Sequence, residues 1–197
     1  MTATVWVPRD AGALALGAEA TARALLASAG AGIRIRRNGS RGLYWLEPLV
    51  EVECAAGRIA YGPVTASDVP ALLRAGLLEG GAHPLRIGPI GQHPWLASQQ
   101  RLTFARVGDF DPLDLDAYEA SGGYRGLRRA LEIGPAAAVK EVLDSGLRGR
   151  GGAAFPTGIK WQTVLDQPPG QRYIACNADE GDSGTFSDRM LMEGDPY

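Results

Sequence analysis

Residues Ser145 to Trp161 read S-G-L-R-G-R-G-G-A-A-F-P-T-G-I-K-W, with five glycines, three cations and no carboxylate. Glycine has no Cβ, so such a run lets backbone N–H groups come close to a ligand. Successive N–H groups beside positive charge suit a phosphate or another anion. Pro156 fits the first position of a helix, where its missing N–H costs nothing. A cationic glycine loop entering a helix is therefore a reasonable anion site; on composition alone it also reads as an ordinary surface loop. Two nucleotide motifs fail here. A P-loop needs four residues between its glycines and then Gly-Lys-Ser/Thr, whereas five separate Gly152 from Gly158 and Ile159 precedes Lys160. A dinucleotide fingerprint must follow a strand, but Pro135 to Leu143 reads as a helix, with proline at its start and Gly146 past its end.

A second stretch raises the weight of the functional reading. Arg172-Tyr173-Ile174-Ala175-Cys176 has the look of a short buried strand. It runs into N-A-D-E-G-D-S-G-T-F-S-D-R, Asn177 to Arg189, and from Asn177 to Asp195 there are six acids and one arginine. Polar groups past the carboxyl end of a strand in an open α/β sheet are where ligands sit, although any single carboxylate more often belongs to a solvated turn. One loop suits phosphate or a reduced flavin ring; the other suits hydroxyls and amides.

Together, residues 145–161 and 173–189 resemble the flavin-binding region of the NADH-dehydrogenase flavoprotein family. That family includes the 51-kDa-type subunit of respiratory complex I, the diaphorase subunit of NAD-reducing hydrogenases and the β subunit of NAD-dependent formate dehydrogenases. Its pattern is similar to G-L-R-G-R-G-G-A-G-F-P-T-G-x-K-W followed by C-N-A-D-E-x-x-x-G-(T/S)-F-x-D-R. The resemblance implies noncovalent FMN with NAD(H) stacked over its ring. It places the flavin on Gly149, Arg150, Gly151, Gly152 and Lys160, and on Asn177, Asp179 and Glu180. It places the dinucleotide against Phe155 and Asp182. Three positions depart from the pattern: Ala154 stands for a glycine, Asp182 is one methylene shorter than a glutamate, and Thr163 replaces an aromatic. No protein side chain is expected to act as a catalytic acid or base, because the cofactor carries the hydride.

The elements that must position these loops are α/β. Thr4–Val7 reads as a strand, and Asp10 can cap a helix to about Ser28 with Leu14, Ala18, Leu25 and Ala29 on one face. Ile33–Arg36 alternates as a strand, and 50–53 with 58–61 form a hairpin around Ala55-Ala56-Gly57. Asp68 to Leu78 is a second helix. The order β-α-β-β-β-α resembles a thioredoxin-like domain. Related domains in partner subunits of the family carry a [2Fe–2S] cluster on four cysteines, whereas this chain has two, Cys54 and Cys176. No metal site is expected, and both thiols read as free in a reducing compartment. His83 and His93 each precede a proline and have no partner set.

The fold expected is thus an N-terminal thioredoxin-like domain over 1–80, a Gly/Pro/His-rich linker over 81–98, and the start of an α/β FMN-binding domain over 99–197. In that second domain, 114–120 and 124–132 read as helices. A net charge of −2 without a basic stripe argues against nucleic acid, and no apolar run has membrane-spanning length. A cytoplasmic subunit is expected. The resemblance implies that the family continues beyond Tyr197 with the rest of the FMN domain, a ubiquitin-like domain and a [4Fe–4S] helical bundle, so the chain reads as part of a longer subunit. The segment Asn38 to Pro48 resembles the N-terminal extension of formate dehydrogenase β subunits, although on physics it could equally be a loop with a core aromatic pair. The expected partners are then a molybdenum or tungsten catalytic subunit and a small [2Fe–2S] thioredoxin-like subunit. Complex I and hydrogenase diaphorase subunits are the same-class alternatives; a noncatalytic docking scaffold is the alternative of another class.

Overall fold

A computed structural model describes residues 2–182 and 184–197. The chain packs as two units, one running to Ala117 and including Ala178–Tyr197, the other Tyr118–Asn177.

The first unit is built on a five-stranded sheet. Strand β1 (Ala3–Pro8) runs parallel to β2 (Ile33–Asn38) and antiparallel to β3 (Val50–Cys54). Strand β4 (Gly57–Tyr61) pairs with β3, and β5 (Arg86–Pro89) with β4, giving the order β2-β1-β3-β4-β5. Alternation decides the faces. Val5, Val7, Val50, Val52, Ile59 and Tyr61 join one apolar core with residues of the crossover helices. This is the thioredoxin-like order the sequence predicts: a β-α-β unit, a hairpin and a helix.

The crossover between β1 and β2 differs in one respect. A single helix from Asp10 is expected; the structure has α1 (Ala11–Ala15) and α2 (Ala18–Ala29), broken at Gly17 with φ +100°. A left-handed residue cannot continue a right-handed helix, and glycine takes that conformation without penalty. Asp10 does cap, its Oδ1 accepting from Ala13 N at 3.0 Å. Leu14 consequently stays 40 % exposed, while Ala18, Ala22 and Leu25 are buried. The next helix, α3 (Val69–Arg74), stops short of Leu78 because Gly76 is left-handed, at φ +76°. Residues 81–98, read as a linker, belong to the fold instead: β5 pairs with β4, and a short helix α4 (Pro94–Ala97) follows. Its four residues are too few to show a period in the sequence.

The opposite sheet face is polar at its centre. Glu51 is fully buried there and receives Arg41 bidentately, Nε to Oε1 at 2.5 Å and Nη2 to Oε2 at 3.0 Å. Arg41 Nη1 also donates to Asp109 Oδ1 at 2.9 Å. Burial opposes the Arg41 charge, but Glu51 and Asp109 hold its pKa above the usual arginine value.

In the second unit, reached through α5 (Leu115–Ala120), lie α6 (Arg125–Ile133), α7 (Pro135–Asp144) and α8 (Thr157–Leu165). A Cβ on Gly158 would come within 2.7 Å of Leu143, so glycine lets α8 lie against α7. The strand expected at Arg172–Cys176 is not formed. Residues 171–180 have no regular structure, and Tyr173 and Ile174 are 88 % and 99 % exposed. A strand needs another to satisfy its N–H and C=O groups, and no described residue pairs with this run.

Glu47, just before β3, is buried; Ser40 Oγ donates to its Oε1 at 2.9 Å and Leu49 N to its Oε2 at 2.8 Å. Burial pushes its carboxyl up to about 7, with the charges of Asp10 and Glu51 adding to the rise and the Leu49 N–H and Ser40 hydroxyl opposing it. The folded state therefore holds this proton where the unfolded state, at the ordinary 4.5, has lost it. Its contribution is fully present below pH 4.5 and is lost as pH rises through 7. We expect urea denaturation to show Glu47→Gln gaining about 2–3 kcal/mol relative to wild type between pH 5 and pH 8. Parallel pH profiles for the two proteins would overturn this.

Candidate functional site

The glycine run of the second unit is a closed loop between two helices. Gly149 N donates to Phe155 O at 2.8 Å and Thr157 N to Leu147 O at 2.9 Å, and Arg148 and Pro156 form an antiparallel bridge. Arg148 Nε donates to Ala154 O at 2.6 Å, so this cation closes the loop and is not directed at a ligand. Pro156 lies one position earlier than expected, at the N-cap of α8, with φ −61°. Within the loop, the backbone N–H groups of 150–154 have no protein acceptor among the described residues. Added Cβ atoms on Gly151 and Gly152 would meet nothing within 4 Å, so both present open backbone. Arg150 is exposed and has no carboxylate within ion-pair distance among the described residues. Lys160, in the first turn of α8, holds Nζ 5.6 Å from the centre of the half-exposed Phe155 ring. Unpaired N–H donors, two available cations and an aromatic ring together suit a planar ligand carrying negative charge. Asn177, also in this unit, is exposed.

Asp179, Glu180 and Asp182 belong to the first unit. There helix α9 (Ser187–Gly194) is fastened to the thioredoxin-like domain. Ala11 N donates to Glu193 Oε2 at 3.1 Å, Tyr44 and Phe186 meet edge to face at 5.8 Å, and Arg106 Nε donates to Asp195 Oδ2 at 2.8 Å. Asp179, Glu180, Asp182, Arg189 and Glu193 ring a cavity of about 340 Å³. Such a wall, rich in acceptors with one cation, favours hydroxyl and amide donors over phosphate.

Glu180 has a role that sequence reasoning did not find. Its carboxylate accepts from Ser187 Oγ and from the N–H groups of Asp188 and Arg189, each at 3.1 Å. It thereby caps α9 from seven residues upstream, outside the three-residue spacing that marks a capping box in sequence. Loss of hydration works to raise its carboxyl pKa, but the donated N–H groups of Arg189 and Asp188 and the Ser187 hydroxyl hold it below the usual range.

Residues 142–197 match the family described as the Nuo51 FMN-binding domain. Over those residues the chain is similar to that family. It is 50 % identical over 99 residues to the NADP-reducing hydrogenase subunit HndC of Solidesulfovibrio fructosivorans, covering 50 % of this chain and 20 % of that one. It is 56 % identical over 84 residues to an NADH-quinone oxidoreductase subunit of Rhizobium meliloti, covering 42 % of this chain and 20 % of that one. The chain thus spans about a fifth of the length of either relative. A thioredoxin-like [2Fe–2S] ferredoxin from Aquifex aeolicus superposes with a TM-score of 0.38 at 20 % identity, over 44 % of this chain and 96 % of that one.

The similarity gives the Ala154 substitution a physical reading. Ala154 has φ +48°, in the left-handed region where the family pattern has glycine. An alanine there costs about 1–2 kcal/mol, partly offset by glycine's larger unfolded-state entropy of about 0.4–1 kcal/mol. Ala154→Gly should therefore stabilise the protein by up to about 1 kcal/mol in chemical denaturation, and Ala154→Val should destabilise it. A destabilised glycine variant would show that the loop does not hold this conformation.

Proposed function

We propose that this chain supplies flavin and dinucleotide contacts of an NAD-linked oxidoreductase subunit. The observation that carries the reading is the tied glycine loop, whose unpaired N–H groups lie beside Arg150 and Lys160 at the start of α8. Gly151 and Gly152 present backbone N–H groups to FMN, with the loop held shut by the Gly149 N–H on Phe155 O, while Arg150 and Lys160 balance negative charge on its phosphate or reduced ring. Fixed dipoles of this kind stabilise charge without reorganising. When bound, FMN supplies the hydride acceptor and the one-electron steps that link NAD(H) to iron–sulfur clusters. Phe155 offers an aromatic face to the dinucleotide, and Asp182 an acceptor. Asn177 and Asp179 bring amide and carboxylate groups to the flavin. Glu180 acts by holding the turn ahead of α9, since its carboxylate is engaged there.

Within that class, the reading we favour is the β-type subunit of an NAD-dependent formate dehydrogenase, working with a molybdenum or tungsten subunit and a small [2Fe–2S] subunit in the cytoplasm. The resemblance of Asn38 to Pro48 supports it. The hydrogenase and NADH-quinone oxidoreductase relatives support the second reading, a diaphorase or complex I subunit. Formate-dependent NAD+ reduction by the purified native complex supports the first; reduction driven by hydrogen, with none from formate, overturns it. A [4Fe–4S] cluster is proposed for the longer subunit, outside these residues.

Gly151 separates ligand effects from folding effects. Its φ is unstrained for an L-residue, and an added Cβ meets no protein atom. In the full-length subunit, Gly151→Val should abolish FMN loading with an unchanged melting temperature. Lys160→Ala, which keeps a good helix former in α8, should weaken FMN by about 10- to 100-fold, the worth of one charge-assisted contact. Equilibrium dialysis reads both, and wild-type FMN affinity in both variants would refute the assignment.

A further inference from the structure

A second cavity in the first unit, of about 260 Å³, is lined by Trp95, Gln99, Arg101, Phe104, Thr185 and Ser187 among others. It shares none of the residues assigned to FMN or the dinucleotide. Its charge balance is unusual. The Arg41 guanidinium at its floor is already neutralised by Glu51 and Asp109. Arg101 is half-buried, donates through Nη2 to Val107 O at 3.2 Å, and has no carboxylate within ion-pair distance among the described residues. Asp109, the acid whose charge bears on Arg101, is bound to Arg41. A cation in this position is stripped of part of its water and lies near a second cation, so an incoming anion would relieve both costs. Burial and the Arg41 charge accordingly push the Arg101 pKa down.

The rest of the wall selects the shape of that anion. The N-terminus of α9 is occupied by Glu180, which leaves Arg101 as the principal counter-charge. Trp95 and Phe104 offer aromatic surface, with Trp95 held edge to face against Trp45 at 5.7 Å and still 57 % exposed. Gln99 and Thr185 add amide and hydroxyl groups that both donate and accept. The volume is too small for a dinucleotide and is close to the lower end for organic ligands. We propose that this cavity binds a small nucleoside monophosphate, its base against Trp95 and Phe104 and its phosphate on Arg101.

The test is calorimetric titration of the full-length subunit, saturated with FMN and NAD+, with AMP and separately with inorganic phosphate. The expected result is saturable AMP binding that falls about 10- to 100-fold in Arg101→Gln, is partly kept in Arg101→Lys, and is unchanged in Lys160→Ala. Trp95→Leu, at an exposed position, should weaken AMP but leave phosphate alone, and it provides the reading if Arg101→Gln fails to fold. Absence of AMP binding at millimolar concentration, or wild-type AMP affinity in both Arg101→Gln and Trp95→Leu, overturns the proposal. Phosphate binding as tightly as AMP overturns the base contact.

Discussion

The buried pair of Arg41 and Glu51 is the constraint around which the first unit is arranged. Glu51 sits on β3, the central strand of the sheet, with its side chain on the face opposite the apolar core, where alternation demands that something cover it. A buried carboxylate is tolerable only when paired and hydrogen-bonded. Arg41 meets both oxygens, and its remaining N–H groups reach Asp109 and the carbonyl of Gly108. That carbonyl also accepts from Asn38 Nδ2 and Arg58 Nη1, so donors from β2, from the segment after it and from β4 converge on one backbone oxygen. Such a network is weak evidence for stability and better evidence for position. Here it holds the chain around Gly108 over the polar sheet face.

From that anchor follows the placement of the second motif's end. Val107, next to Gly108, packs against Gly194, and Arg106 binds Asp195, so the segment held by Arg41 holds the C-terminal end of α9. Glu193 on the same helix takes the Ala11 N–H at the start of α1. Glu180 then fixes the other end of α9 by capping it. The acidic turn is thus a consequence of packing on a thioredoxin-like sheet, and Glu180, one of the carboxylates expected at the flavin, is the one that organises the turn.

The glycine loop obeys a different logic. Its ends are closed by backbone bonds and by Arg148, while the N–H groups between them are left without protein partners among the described residues. Exposed N–H groups are solvated by water in the free chain, which makes the loop inexpensive to leave open and ready to exchange water for an anion. The left-handed Ala154 is the local cost of that geometry.

Much of this was legible in the sequence because it is encoded at short range. The alternating valines of β1 and β3, the Asp10 cap and the hairpin at Gly57 all lie within windows of a few residues. The break at Gly17 was locally encoded too, but glycine within a helical pattern is ambiguous until its φ is known. What only tertiary structure decided depends on partners distant in the chain. Arg172–Cys176 has the composition of a strand yet forms none, because composition cannot supply a neighbour to pair with. Residues 86–89 have the composition of a linker yet become β5, because β4 offers a free edge. The pairing of Arg41 with Glu51, the charge left on Arg101 and the capping role of Glu180 are likewise contacts across space, and no residue spacing announces them.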